Sequence, residues 1–256
     1  MPFTLSHAAA ALPFRHTRLI MSAVVVGCLA PDFEYFVPFA HHGAVGHTLG
    51  GVFEFDLPLS LAVLWLFHRY AMEPLGACLP EGARERFASS SHALHMDSVS
   101  RFALTVFSIL IGITTHILWD GFTHRGYWIS DRLHFLYTEV RLPVFGPRPW
   151  YGILQYLSSA FGIVVILLWY IQWYRKTRPV HSKQDGLTRN RIVLAILFLF
   201  AVASGFGRAA ASGIPQGVGG SQRFMTEMAT TGITVLWIEI VIYGVVRDLS
   251  RKAKLV

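Results

Sequence analysis

Long apolar runs alternate with short polar segments along most of the chain. A helix needs about 20 residues to cross the apolar core of a bilayer. Four runs approach that length, and a fifth is weaker because Asp56 and Pro58 stand near its start; we interpret Asp56 as an N-cap there. The runs cover residues 102–119, 152–174, 192–206 and 229–246, with residues 51–67 as the weaker fifth. This pattern predicts an all-α, polytopic integral membrane bundle of about five to six spans.

The first 30 residues are also apolar, but polar residues break them in the middle. Pro13, Arg15 and Arg18 interrupt the run, and its first residues lack the basic segment of a signal peptide. We therefore expect a helical hairpin, with helices over residues 5–12 and 19–30, that is retained in the protein. Irregular backbone at membrane depth is tolerated where other protein covers it.

Composition excludes several classes of protein. Hydrophobic residues make up 53% of the 256 residues and charged residues only 14%, whereas a soluble domain carries about 25% charged residues. A soluble globular enzyme and a disordered chain are therefore both excluded. The net charge of +7 does not indicate nucleic-acid binding, because the Lys and Arg residues lie between the apolar runs instead of forming a basic face. The expected partner is the lipid bilayer.

The distribution of basic residues predicts the orientation of the spans. The segments on one side of the membrane contain 14 Lys and Arg residues, and those on the other side contain 6. Cytoplasmic loops carry the excess of positive charge. The C-terminus is therefore expected to be cytoplasmic, and the loops at Asp32 and Asp120 are expected on the outer side.

The strongest chemical pattern is a repeat of four residues at the end of the run 102–119. His116, Asp120 and His124 follow one another at intervals of four, so a helix presents all three on one face. Imidazole nitrogens and carboxylate oxygens are ligands of zinc and similar ions. The alternative is a buried core histidine, with Asp120 and His124 solvated beyond the end of the helix.

Further donors lie where the topology can bring them near this face. His7 opens the N-terminal hairpin, and the outer loop then contributes a group of acids and histidines: Asp32, Glu34, His41, His42 and His47. If the hairpin forms, His7 returns to the side of Asp32. If the first 30 residues instead form one straight helix, the helical rise separates His7 from Asp32 by about 37 Å, and they cannot share a site.

These motifs resemble an uncharacterised family of bacterial membrane proteins, known as domain of unknown function 4184. The resemblance is carried by MPFTLSHAAAALP, CLAPDFEYF, GHTLGGVFEFDLPLSLAVLWLFHR and GITTHILWDGFTH, and covers most of residues 1–159. The order of the motifs is more distantly similar to YdjM-type inner-membrane proteins, a group of inferred metal-dependent hydrolases. It is also similar to the zinc-dependent phospholipase C and P1 nuclease group. The resemblance implies a bacterial inner-membrane protein with a metal-site part at 1–159 and additional transmembrane helices at 160–256.

The resemblance also implies a ligand set, and a mechanism follows from the chemistry of such a site. Its ligands are His7, Asp32, His47, His116 and Asp120, with His124 as a looser match. One or two divalent ions, zinc first, would then activate a water to attack a phosphoester or phospholipid-like substrate. In that mechanism Asp120 bridges the ions, Asp32 or Glu34 orients or deprotonates the water, and Arg125 binds the phosphate; all three acids are candidate catalytic residues.

A non-enzymatic protein is the alternative from another functional class. A transporter or scaffold would use these histidines and aspartates for a structural metal or for proton transfer. A structural metal site is closed by four protein ligands, whereas a catalytic one keeps an open position. A transporter would place polar groups on several spans near the midplane, but most acids and histidines here are expected at one membrane face.

Overall fold

The computed structural model describes residues 4–37, 45–90, 94–143, 146–180, 187–213 and 217–253. It is 83% helical, as the sequence predicts. The α-helices are α1 (Met21–Leu29), α2 (Leu49–Cys78, with two π-helical turns), α3 (Glu81–Ser90), α4 (Val99–Thr123), α5 (Trp128–Arg132), α6 (Trp150–Lys176), α7 (Leu187–Ala211) and α8 (Gly217–Lys252). Helices of the 3-10 type cover Thr4–His16, Ala30–Phe36 and His134–Tyr137.

Five of the helices are long and apolar enough to cross a membrane: α2, α4, α6, α7 and most of α8. The chain is thus a multi-pass membrane protein, and the predicted number of spans is confirmed. The weakest predicted run extends much further than expected, because α2 begins at Leu49 and continues to Cys78. Thr48 is the residue that starts this helix, since its hydroxyl accepts a hydrogen bond from the backbone N–H of Gly51 at 3.0 Å.

The N-terminal segment folds as the predicted hairpin. The 3-10 helix Thr4–His16 packs back on α1, and Ala11, Val24 and Cys28 form a buried cluster between them. The hydroxyl of Ser108 in α4 accepts a hydrogen bond from the backbone N–H of Ile20 at 3.1 Å, which ties the start of α1 to α4. The alternative of one straight N-terminal helix is therefore wrong.

A short β-hairpin, which the all-α prediction does not include, lies between α5 and α6. Strand β1 (Glu139–Leu142) pairs antiparallel with β2 (Gly146–Pro149), with Glu139 opposite Pro149 and Leu142 opposite Gly146. Glycine is favoured at residue 146 because its backbone takes a φ of 70°.

The helices group into two compact units by mutual packing. The first contains residues 1–34, 41–64 and 95–173, and the second contains residues 35–40, 65–94 and 174–256. In the first unit, α4 packs along α1 and the N-terminal helix. In the second unit, α8 packs against α7 around Ala71, Leu194 and Ile240. These units reflect packing alone, so the functional division at residue 159 stays a prediction.

Candidate metal centre

Four side chains that are distant in sequence meet in the first unit. Asp32, His47, His116 and Asp120 each direct one potential ligand atom to a common point, and these atoms all lie within 4.8 Å of one another. They come from the 3-10 helix after α1, the loop before α2, and α4. We call these four residues the His/Asp cluster. Burial keeps it away from bulk water, since the side chains are at most 9% exposed.

Close packing of two helices sets the orientation of His116. Gly27 in α1 and Gly112 in α4 face each other so closely that a Cβ on either one would overlap the backbone of the opposite helix. Small residues permit such an approach between membrane helices. Because of it, Nδ1 of His116 lies 2.7 Å from the carbonyl oxygen of Cys28. A carbonyl only accepts, so Nδ1 carries the proton and Nε2 faces the cluster with its lone pair.

The carboxylate of Asp120 contacts imidazoles on both of its oxygens. Oδ2 lies 3.4 Å from Nε2 of His47 and 3.3 Å from Nε2 of His116. Oδ1 lies 3.4 Å from Nε2 of His7 and 3.3 Å from Nδ1 of His124. The helical interval of four residues thus brings His116, Asp120 and His124 together as the sequence predicts, and Asp120 stands between two pairs of histidines.

The distances in the His/Asp cluster fit a metal ion better than direct hydrogen bonds. Hydrogen bonds between nitrogen and oxygen are typically 2.7–3.2 Å long. Nε2 of His47, Nε2 of His116 and Oδ1 of Asp120 are buried, and none has a hydrogen-bond partner among the residues that the structure describes. A tetrahedral ion with bonds of about 2.0–2.1 Å holds its ligand atoms about 3.3–3.4 Å apart. Both Oδ2 contacts of Asp120 have this length, while Oδ1 of Asp32 lies 3.8–3.9 Å from the two imidazoles. The donor set therefore suits a divalent transition metal.

Hydrogen bonds from neighbouring residues hold the two acids that follow α1. The hydroxyl of Thr4 donates to Oδ2 of Asp32 at 2.6 Å, which leaves Oδ1 facing His47 and His116. Thr4 belongs to the N-terminal helix, so the hairpin orients this acid as well as supplying His7.

Glu34 contacts the loop that carries His47 and does not reach the centre of the cluster. Its Oε2 accepts hydrogen bonds from the backbone N–H groups of Val45 and Gly46, at 3.2 and 3.4 Å. Its Oε1 lies 3.6 Å from Nδ1 of His47. A carboxylate beside the outer nitrogen of a ligand histidine fixes the ring orientation and raises its basicity. This placement suits a positioning role for Glu34 better than proton transfer.

His7 reaches the cluster from the N-terminal helix. Its ring stacks on that of His116, with centroids 4.0 Å apart, and lies 5.2 Å from the ring of Trp119. Burial, followed by the nearby His116, lowers the pKa of His7 to about 3. His7 is therefore neutral at physiological pH, which is the form that binds metal ions.

Other predicted residues lie at the edge of the site or outside it. The side chain of His124 is 22% exposed, and its Nε2 lies 2.9 Å from the side-chain amide of Gln155 in α6. Arg125 is exposed, and within the described part of the chain no hydrogen bond or ion pair links it to the cluster. Its role in phosphate binding stays a prediction. His41 and His42 lie outside the described residues.

Sequence reasoning misplaced Asp56. It lies inside α2, in the π-helical turn Val52–Asp56, so the N-cap interpretation is wrong. Asp56 is fully buried, and neither oxygen has a hydrogen-bond partner among the described residues. Oδ1 points toward the backbone of Gly46, next to His47. An acid within an apolar span is the sequence signal that could have identified it, because such acids usually have a functional reason.

The chain matches a known protein family over most of its length. Residues 1–245 match the family model described as Domain of unknown function (DUF4184). No curated protein and no solved structure matches the chain. The more distant similarity to YdjM-type proteins and to the phospholipase C group stays a prediction.

Proposed function

Because the chain belongs to the DUF4184 family, whose description assigns no activity, we propose a function from the site itself. The proposed function is a membrane-embedded, metal-dependent hydrolase of phosphoesters. The metals would be one or two divalent ions, with zinc first because histidine and carboxylate ligands suit it. The proposed location is the bacterial inner membrane.

The observation that carries this proposal is the position of Asp120 between two sets of donors. One ion would be held by Asp32, His47, His116 and Oδ2 of Asp120. A second would be held by Oδ1 of Asp120 with His7 and His124. A carboxylate shared in this way is suited to two-metal hydrolysis, in which the ions lie about 3.5–4 Å apart.

The residues around the cluster would have distinct tasks in the reaction. Bound divalent ions would supply an acidified water and stabilise charge on the phosphoryl oxygens. Asp32, held at Oδ2 by Thr4, would hold an ion through Oδ1 and orient the attacking water. The water oxygen would then bond to phosphorus while the bond from phosphorus to the leaving oxygen breaks, and the proton released by the water would pass to the leaving oxygen. Glu34 would hold His47 in place through Nδ1.

One observation favours a second candidate function, a scaffold with a structural metal. The four residues of the His/Asp cluster converge on a single point, and four protein ligands are typical of closed structural zinc sites. In this alternative, His7 and His124 would only form hydrogen bonds with Asp120. The two candidates differ in the number of bound ions and in activity.

The first test is the metal content of the detergent-purified protein, measured by elemental analysis in the absence of chelators. We would compare wild type with Asp120→Asn and with Asp97→Asn, whose aspartate is exposed and pairs with Arg101 at 3.2 Å. The hydrolase predicts one or two transition-metal ions per chain, loss of metal in Asp120→Asn, and retention in Asp97→Asn. Hydrolysis of bis(4-nitrophenyl) phosphate should follow the metal content of the three proteins.

The other outcomes separate the two candidates. One tightly bound ion per chain with no hydrolysis would support the structural site and contradict the hydrolase. Absence of any transition metal from wild type, or equal metal content in Asp120→Asn and wild type, would contradict both.

A further inference from the structure

An apolar groove lies on the face of α4 beside the His/Asp cluster. Its volume is about 560 Å³, within the range of about 300–1,000 Å³ that is usual for ligand pockets. Leu118 and Phe122 of α4 form one wall, Leu154 and Ser158 of α6 form the other, and Ala10 of the N-terminal helix also contributes. Leu118 and Phe122 are each 45% exposed, so the groove is open along its length to the apolar surroundings of a membrane span.

The groove adjoins the metal centre, because two of its lining residues lie next to His7 and His124. Trp119 lies in the groove wall, and its ring is 5.2 Å from the ring of His7. Thr123 is also in the wall, and its hydroxyl lies 3.1 Å from Nδ1 of His124. A hydrogen bond from Nε1 of Trp119 to the hydroxyl of Ser158, at 3.1 Å, joins the two walls at this position.

The chemistry of the groove selects an apolar ligand. Its three lining hydroxyls already donate to backbone carbonyls: Thr115 to Gly112, Thr123 to Trp119, and Ser158 to Gln155. The other lining side chains are aliphatic or aromatic. The groove therefore provides apolar contact and has no hydroxyl proton left for a polar group, while the divalent ions of the proposed function would supply positive charge in the adjoining cluster. An amphiphile with a hydrocarbon chain and an anionic head matches both parts.

We propose that this groove binds an acyl chain of a membrane phospholipid and directs its phosphate to the His/Asp cluster. The assignment of the lipid as substrate rests on the proposed hydrolase function, whereas chain binding by the groove is tested separately. The occupant is a phospholipid because the groove lies on a membrane span, where bilayer lipids are the abundant amphiphiles.

The test fills the groove and compares it with an equivalent change outside it. Leu154→Trp adds bulk in the groove, whereas Leu157→Trp adds the same bulk to a side chain of α6 that is 60% exposed and does not line the groove. Native mass spectrometry of the detergent-solubilised protein, titrated with palmitoyl-oleoyl phosphatidylglycerol, measures lipid affinity without any need for turnover. We expect Leu154→Trp to weaken the tightest lipid-binding step by about tenfold, equivalent to losing about two buried methylene contacts. Leu157→Trp should bind as wild type does.

A second variant keeps the test decisive if the added tryptophan disturbs folding. Phe122→Ala removes an exposed aromatic ring from one wall of the groove. Phe161→Ala removes an exposed aromatic ring of α6 that does not line the groove. Only Phe122→Ala should weaken lipid binding. Equal binding by groove and control variants, in either pair, would overturn the proposal and identify the bound lipid as ordinary annular lipid.

Hydrolysis assays with two substrates then test the groove proposal and the proposed hydrolase function separately. If both hold, Leu154→Trp lowers the ratio of kcat/KM for phosphatidylglycerol to kcat/KM for bis(4-nitrophenyl) phosphate by about tenfold, whereas Leu157→Trp leaves both values unchanged. If wild type hydrolyses neither compound but Leu154→Trp still loses lipid affinity, the groove is supported and the hydrolase is overturned. If both substrates are hydrolysed equally by wild type and Leu154→Trp, the groove proposal fails and the hydrolase remains.

Discussion

Glu34→Gln tests whether this acid acts on the reaction or only on the geometry of His47. Glutamine has the same size and keeps a side-chain oxygen for the backbone N–H groups of Val45 and Gly46, so the loop is expected to stay folded. The change removes the negative charge that lies 3.6 Å from Nδ1 of His47. His47 would then be a weaker base and would lose part of the constraint on its ring.

The expected size of the effect follows from that contact. Loss of a carboxylate that supports a ligand histidine typically weakens metal affinity by about 10–100-fold, or about 1.4–2.7 kcal/mol. Since 3.6 Å exceeds the length of a good hydrogen bond, we expect a value near the lower end, about tenfold. Activity measured with saturating metal should return close to that of wild type, because a positioning residue acts through occupancy of the site.

A zinc titration against a chromophoric chelator measures this affinity in the detergent-purified protein. Glu54→Gln is the matched control, because Glu54 is an exposed acid near the start of α2. An unchanged zinc Kd in Glu34→Gln would refute the positioning role. A lower kcat at saturating metal, together with an unchanged zinc Kd, would show that Glu34 acts directly in the chemistry, as the mechanism drawn from the sequence predicts.

Three further predictions concern helix packing, the second unit and topology. Gly112→Ala should lower the free energy of unfolding by about 1–3 kcal/mol and weaken zinc binding, because the added Cβ would overlap the backbone of α1. An unchanged Tm in differential scanning fluorimetry would contradict the close packing of α1 and α4. Asn190→Ala should lower the free energy of unfolding by about 1–2 kcal/mol, because the hydroxyl of Tyr243 donates a hydrogen bond to this buried amide at 2.7 Å. The metal content of this variant should equal that of wild type, and a loss of metal would contradict the prediction. A reporter fused after residue 256 should respond as cytoplasmic, and a periplasmic response would reverse the predicted orientation.

Much of the architecture is predictable because helices in a bilayer have few alternatives. Backbone polar groups must be satisfied within each span, so the length of an apolar run indicates a helix with little dependence on tertiary contacts. The same regularity explains why the interval from His116 to Asp120 and His124 identifies one face of α4. It also explains the failure at Asp56, since a proline two residues later suggested a helix start, whereas Thr48 begins α2 eight residues earlier.

Other features depend on contacts between segments that are distant in sequence. The hairpin placed His7 on the correct side, but its stacking on His116 depends on how closely α1 and α4 approach. The support of His47 by Glu34 depends on a short loop whose backbone N–H groups turn toward the acid. The β-hairpin between α5 and α6 consists of two strands of four residues each, too short to give a pattern of alternating apolar residues.

The hydrogen bond from His116 to the backbone carbonyl of Cys28 has a consequence for mutational robustness. Because the acceptor belongs to the main chain, no substitution at residue 28 can delete it, and the side chain there can vary among small apolar groups that fit the buried cluster. The orientation of His116 is instead vulnerable at Gly27 and Gly112, where any added side chain would force the two helices apart. Sequence drift at this site should therefore be tolerated at the residue that makes the contact and rejected at the two glycines where α1 and α4 meet.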